Sequence, residues 1–284
     1  MRVVKVNASV MGASHKRKPN PICQDANLVR VLDDKTIVAA VADGHGSPKC
    51  RFSDRGAKMA TECFFFMIRK YYEDAEGDHD DLIRWLRPNE ATRFVQVFHS
   101  LWKKKVNKSY AQLRRRYADL AEQKDVDYEL FGTTFLGLVV ASDFRFALQI
   151  GDGDISYITT EGCQAVIEAD KFLGTETYSL SDETPWKHAK VFFQRANYDD
   201  VVPSMFMLTS DGFANSFKDD SQYNVACMDY FDTICKYGQK AVQSNLEEWL
   251  SQTSEEGCGD DISLVAVGWI NDEEDTITPD EENA

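Results

Sequence analysis

The sequence predicts an α+β fold in which antiparallel β-sheets, two of them stacked, are covered by α-helices. Three observations carry the prediction. Nine short apolar or alternating runs read as strands, several joined by tight polar turns. Helical periodicity appears in two or three blocks set between groups of strands. The chain of 284 residues is 43% hydrophobic, enough to bury a substantial core.

The first strands are "VVKVNASV" (3–10), "NLVRVL" (27–32) and "TIVAAVA" (36–42), with a hairpin turn expected at Asp33-Asp34. A helix follows, with Ser53 as N-cap and Ala57, Ala60, Phe64, Met67, Ile68 and Tyr71 at helical spacing. The charged run "EDAEGDHDD" breaks that pattern at 73–81. A longer helix is expected from about Asn89, because Phe94, Phe98, Leu101, Trp102, Leu113, Tyr117 and Leu120 fall on one stripe. Strands return at 133–142 and 144–152 around a Ser142-Asp143 turn, then at 155–159 and 163–168 around Glu161-Gly162. Residues 170–190 are irregular and polar. A strand at 205–212, a helical region over 224–252 and a last strand at 262–270 complete the chain. With no repeat and no Pro- or Gly-rich linker, residues 1–270 read as a single domain.

Charge and cysteine content narrow the function. No run approaches the ~20 apolar residues that span a bilayer, and the N-terminus lacks an apolar block of signal-peptide length. The seven cysteines are scattered and never spaced Cys-x-x-Cys, which favours reduced thiols in a soluble cytoplasmic protein. A formal charge of −15 argues against nucleic acid and anionic membranes as partners. Part of it lies in "NDEEDTITPDEENA" (271–284), whose seven acids and no base read as a solvated, disordered tail. The reverse holds from Arg93 to Ala118, where eight basic residues occur without an acid. They fall mainly off the apolar stripe and read as a solvated helix face, with an acidic partner as the other reading.

The chemistry lies at the strand ends. Four times an apolar strand or glycine turn meets an acid: "VADGHG", "QIGDGD", "LTSDGF" and "GCGDDISLV"; a fifth, "CQDA", puts Asp25 just before a strand. Asp-Gly alone is ordinary turn chemistry. Five acids at strand ends are more than turns alone require; core strands of this kind could bring their ends to one rim, and carboxylates brought together repel unless a cation sits among them. All-oxygen ligands without clustered Cys or His favour Mg²⁺ or Mn²⁺. Two such ions can hold and activate a water for in-line attack at phosphorus. His45, near neutrality in its titration, could protonate the leaving oxygen.

In order, "CQDA", "VADGHGS", "GTTFLG", "IGDGD", "LTSDGF" and "GDDISLV" resemble the metal-dependent serine/threonine protein phosphatases of type 2C, over residues 8–268. The resemblance implies a four-layer α-β-β-α sandwich with two metal ions at one end, and a bacterial-type member. It implies that Asp43 bridges both ions, that the Gly44 carbonyl binds one, and that Asp211 and Asp260 bind the other. Asp25 would act through water in the outer shell, His45 as general acid, and Asp152 on a third, weaker ion. Thr133 and Thr134 would serve structure. Whether Asp260 or Asp261 is the ligand is open; the family pattern selects Asp260.

Two departures from the family stand out. Gln24 replaces the first acid of the usual pair, leaving the outer metal shell one charge short. Asn20 stands where the phosphate-binding arginine is expected. Arg17, in "SHKRKPNP", is the candidate to replace it, with Lys16, Lys18 or His15 as substitutes. The implied partner is a phosphoprotein, the target of a cognate Ser/Thr kinase or the kinase itself, met by a monomeric enzyme. Two rival readings stand beside it: a pseudophosphatase that binds a kinase or regulator, and a phosphatase of small phospho-metabolites. Segment 170–190 is the expected flap over the site. Cys23 and Cys50, flanking the site, are read as structural.

Overall fold

The computed structural model describes residues 2–169, 177–196 and 203–270. Ten strands form two antiparallel five-stranded sheets. One sheet runs β2 (Ala26–Asp33), β3 (Thr36–Ala42), β4 (Phe135–Ala141), β5 (Phe144–Ile150) and β8 (Lys190–Arg195). The other runs β1 (Arg2–Val10), β10 (Ile262–Ile270), β9 (Ser204–Thr209), β6 (Asp154–Thr159) and β7 (Gly162–Ile167).

The period of two along each strand sorts side chains between layers. On β3, Ile37, Ala39 and Val41 enter the core between the sheets, where Leu136, Leu138, Phe206, Leu208, Val265 and Val267 meet them. Val38, Ala40 and Ala42 face outward onto α1 (Ser53–Asp74), α2 (His79–Leu86) and α3 (Ala91–Leu113). Both faces are thus covered, which is why "TIVAAVA" is apolar throughout rather than alternating. On the far side, Val4, Val6, Leu264 and Ala266 pack under α6 (Asp220–Glu256). The layers follow as α-β-β-α, the predicted sandwich.

Several local expectations change. The first hairpin turns at Asp34-Lys35; Asp33 ends its strand and accepts the Lys35 N–H on Oδ1 at 2.7 Å. Ser53 is not the N-cap of α1 but its first residue, buried, after Phe52. The long basic helix stops at Leu113 and a short turn, α4 (Ala118–Ala121), carries Leu120 into the core. The predicted helix over 224–252 is longer and breaks at Gly238, whose φ of 77° lies outside the helical region. Three elements had no expectation: α2, β8 and the short helix α5 (Asp211–Ala214), whose first two residues were expected in the strand 205–212, which ends at Thr209. Asp78 caps α2 by accepting the Asp81 N–H, and Asp80 and Asp81 suit its positive end. His79 ties this helix to Thr36 (3.1 Å) and to Asp143 (2.5 Å) in the β4–β5 turn. Among the described residues no helix is long and apolar enough to cross a membrane. The predicted tail, 271–284, and residues 170–176 of the predicted flap lie outside the described residues.

Candidate active site

One end of the sandwich collects the acids. Ala26 pairs with Ala42, so Asp25 entering β2 lies beside Asp43 leaving β3. Thr209 pairs with both Asp154 and Leu264, which sets the loops before β6 and β10 beside Asp211.

Backbone contacts shape the Asp43-Gly44-His45 loop. The Asp43 carbonyl accepts the Thr134 N–H and the Thr133 hydroxyl, both at 2.8 Å, and Gly44 bridges to Thr133. Thr133 is therefore structural, as the sequence suggests. A Cβ on Gly44 would stand 2.5 Å from the Gln24 carbonyl oxygen and 2.8 Å from the Ser53 backbone, so two segments close directly over this residue. Gln24 closes the same corner: its amide donates to the His45 carbonyl (3.0 Å) and to the Ser53 hydroxyl (2.6 Å). The expected gap in an outer metal shell at Gln24 is thus filled by a scaffold contact. The His45 ring is fixed through Nε2 to Ser179 Oγ at 2.9 Å, and Ser179 is itself held by the Thr133 N–H and the Ser181 hydroxyl. Burial holds His45 below the usual histidine range, against the charges of Asp182 and Asp211.

Asp25 is buried, with 8% exposure. Its Oδ2 accepts the Ser210 hydroxyl at 2.7 Å, while Oδ1, also buried, has no hydrogen-bond partner among the described residues. Asp211 opens the short helix α5 (Asp211–Ala214), and Asn215 donates to its Oδ2 at 2.9 Å. Asp152 rides a turn built by the buried Gln149, whose amide donates to the carbonyls of Gly151 (3.2 Å) and Gly153 (2.8 Å). Gly151 takes a φ of 100°, open to glycine at little cost.

The two acids before β10 separate cleanly. Asp261 is 3% exposed and accepts from the Gly12 N–H (2.6 Å), the Gln24 N–H (2.6 Å) and His15 Nδ1 (2.8 Å). Asp260 is exposed and lines a cleft of about 1080 Å³ together with Asp43, Asp152, Asp211 and His45. The structure thus brings together Asp43, Asp152, Asp211, Asp260 and His45 in the open cleft, with Asp25 buried behind them. Arg17 is not brought in: it sits exposed on a 3-10 turn, outside the lining. Lys16 pairs with Glu255 at 3.6 Å instead. Among the described residues lining the cleft there is no Lys or Arg.

These carboxylates are poorly neutralised by the protein. Burial, and then the charges of Asp261, Asp211 and Asp260, push Asp25 up to about 8 despite the Ser210 hydrogen bond. Burial with the charges of Asp25 and Asp211 lifts Asp43 well above the carboxylate range, and Asp152 and Asp260 also rise, burial first. An orphaned buried carboxylate oxygen and four upshifted acids around one cleft fit divalent cations with oxygen ligands. All seven cysteines are free, and burial pushes the Cys23 and Cys50 thiols up, away from reactive thiolates.

Sequence reasoning missed Ser179, Ser210 and Asn215. Each is a polar residue whose partner is far away or a helical turn on, and "SLSD" or "TSDGFAN" carries no spacing signal for it.

Comparison with known proteins identifies the family. The family model for protein phosphatase 2C matches residues 11–251. Serine/threonine-protein phosphatase 3 of Escherichia coli (strain K12) is 28% identical over 162 residues, 56% of this chain. That stretch is 54% of the relative, so the chain spans about half the length of the curated relative it matches. Among solved structures, the S. agalactiae serine/threonine phosphatase superposes with a TM-score of 0.57 at 13% identity, covering 95% of this chain and 100% of that one. The phosphatase domain of SpoIIE from Bacillus subtilis gives 0.51 at 12%, over 98% and 96%. The catalytic domain of PstP, solved in complex with two manganese ions, gives 0.53 at 13%, over 95% and 99%. At such identities the superpositions speak for the fold, and the family rests on the sequence match over most of the chain. With those motifs on the strand tips that line the cleft, the chain belongs to the protein phosphatase 2C family.

Proposed function

We propose that residues 1–270 form one catalytic unit, a metal-dependent phosphatase acting on phosphoserine or phosphothreonine of proteins. The observation that carries the reading is the convergence of Asp43, Asp152, Asp211 and Asp260 on one open cleft, with Asp25 behind and His45 beside them. Asp43, Asp211, Asp260 and the Gly44 carbonyl would hold two Mg²⁺ or Mn²⁺ ions, with Asp25 acting through water and Asp152 on a third, weaker one. Such ions, when bound, neutralise phosphoryl charge and make water nucleophilic near neutral pH.

The chain's own residues supply orientation and a proton. Thr133 and Thr134 fix the Asp43 carbonyl and with it the backbone at the tip of β3. Asn215 and Ser210 each hold one oxygen of Asp211 and Asp25. His45, clamped by Ser179, is the group placed to give a proton to the departing seryl or threonyl oxygen. No cysteine or serine sits in a nucleophile motif, so the reading involves no phospho-enzyme. A Ser/Thr kinase is the opposing enzyme in this reading, the phosphatase acts as a monomer, and the free thiols suit a reducing cytoplasm.

One observation favours a second reading, a non-catalytic binding module: the described lining lacks a basic side chain to clamp phosphate. Phosphate release from a phosphothreonine peptide and from a sugar phosphate, with Mn²⁺, Mg²⁺ or EDTA, tests both. Metal-dependent turnover of the peptide, lost in Asp43→Ala and Asp211→Ala with folding intact, is expected. Preference for the sugar phosphate would transfer the activity to small metabolites. Metal binding without turnover of either would leave the binding module.

A further inference from the structure

We propose that His15 supplies a nitrogen ligand to the cation held at Asp260; this rests on the two-cation reading above. The His15 side chain is 10% exposed and stands on a short turn whose N–H groups return to the Gly12 carbonyl. Its Nδ1 lies 2.8 Å from Asp261 Oδ1. Asp261 also accepts two backbone N–H bonds, from Gly12 and Gln24 at 2.6 Å each. An acceptor engaged in that way takes the hydrogen of Nδ1, so Nε2 is the ring nitrogen left to face a cation. A carboxylate that fixes a histidine tautomer through one nitrogen while the other faces a cation is the recurrent outer-shell arrangement of metal-bound imidazole.

His15 lies behind the lining of the cleft, and its Nε2 approaches two residues of the rim. It lies 3.8 Å from Asp260 Oδ1 and 3.9 Å from the position a Cβ on Gly46 would take, and both Asp260 and Gly46 line the cleft. Among the described residues no hydrogen bond to Nε2 is seen, and the Asp260 carboxylate stands 3.8 Å away. Donor atoms of His15, Asp260 and Asp261 all lie within 4.8 Å of one another, a spacing one cation can gather. Asp260 Oδ1 also accepts the Asp261 N–H at 2.8 Å, which keeps that oxygen on the side of His15. Asp261, whose oxygens accept from Gly12, Gln24 and His15, is the partner that orients the ring. Its buried place, two backbone hydrogen bonds and histidine partner explain why this chain carries Asp-Asp before β10, with only the first acid in the cleft. A nitrogen donor in place of water shifts preference from Mg²⁺ toward Mn²⁺ and later first-row ions.

The test is pulsed electron paramagnetic resonance on the full chain loaded with Mn²⁺. Electron spin echo modulation from directly bound ¹⁴N is expected in the wild type and in His45→Gln, and absent in His15→Gln. The Mn²⁺ over Mg²⁺ affinity ratio, read by calorimetry, is expected to fall at least tenfold in His15→Gln. Folding of that variant is checked by circular dichroism, and ¹⁵N-histidine labelling of the wild type gives the same answer without a substitution. Bound Mn²⁺ without nitrogen modulation in the wild type, or modulation that survives in His15→Gln, overturns the assignment. Weakened phosphate binding in His15→Gln with no nitrogen signal would give the residue to the substrate anion instead. Failure to bind Mn²⁺ at all, seen as an unchanged spectrum of the free ion, would refute the two-cation reading itself.

Discussion

Replacing Asp25 by Asn should stabilise the metal-free protein and weaken the metal-loaded one. Asp25 is buried, carries one hydrogen bond from Ser210, and leaves Oδ1 without a partner. Burial and three neighbouring acids raise it to about 8. An acid whose folded pKa lies above its unfolded one binds more protons when folded, so its contribution is most favourable below about pH 4 and declines as pH rises toward 8. At pH 7 the folded state is penalised over about three pH units, or about 4 kcal/mol at 1.36 kcal/mol per unit. Asn cannot ionise, yet its amide at the Oδ1 position lacks an acceptor, which costs about 1–3 kcal/mol. The net gain at pH 7 is about 2 kcal/mol, or roughly 4–8 °C in Tm for a chain of this size. At pH 5 the penalty is only about 1.5 kcal/mol and the two effects cancel. Thermal melts in EDTA at pH 5, 7 and 8 read this directly. With saturating Mn²⁺ the ranking should invert, because cation binding to the folded state stabilises the wild type more than a variant with weaker affinity. A wild type whose EDTA melt is flat from pH 5 to 8, or an Asp25→Asn variant that melts lower at pH 7 in EDTA, would refute the argument that the acids oppose one another in the empty cleft.

Three further outcomes are expected. Ser179→Ala removes the hydroxyl that holds His45 Nε2 at 2.9 Å and should lower kcat about tenfold on a phosphopeptide while KM and Mn²⁺ affinity stay within about twofold, read by steady-state kinetics and calorimetry. Gln24→Ala should cost about 1–3 kcal/mol in urea unfolding, through the two amide bonds it loses to His45 and Ser53, with Mn²⁺ affinity changed less than about threefold; a larger loss of affinity would return Gln24 to the metal shell. Exchanging Lys103, Lys104 and Lys105 for Gln removes the Lys105–Glu62 pair (2.8 Å) and the Lys103 contact over the Tyr128 ring (4.5 Å), lowering stability by about 1 kcal/mol. Unchanged capture of a phosphoprotein in a pull-down would show that this face docks nothing.

What the sequence disclosed, and what it hid, follows from how far each signal reaches along the chain. Strands β3 and β10 were legible because both faces are buried, so every position is constrained and the apolar run is continuous. The acids were legible because each sits within three residues of such a strand end, where the sheet register brings Asp25, Asp43 and Asp211 to one rim. Helix α2 was hidden because its start is encoded in Asp78, Asp80 and Asp81, which favour a helix N-terminus yet read as a charged break. Strand β8 was hidden because it lies at a sheet edge with half-buried side chains and little alternation. The polar scaffold was harder still. Ser210 reaches Asp25 across 185 positions, Ser179 reaches His45 across 134, and His15 reaches Asp261 across 246. None of these pairs leaves a periodicity, because each is fixed by the fold rather than by its neighbours in sequence. Asp260-Asp261 shows the limit most sharply. Adjacent residues of the same chemistry point into opposite environments, one a half-exposed cleft carboxylate and the other a buried anchor for Gly12, Gln24 and His15. The family pattern points to the first acid, but only the geometry of the partners gives the reason, so the division of labour between two identical side chains is a property of the folded loop.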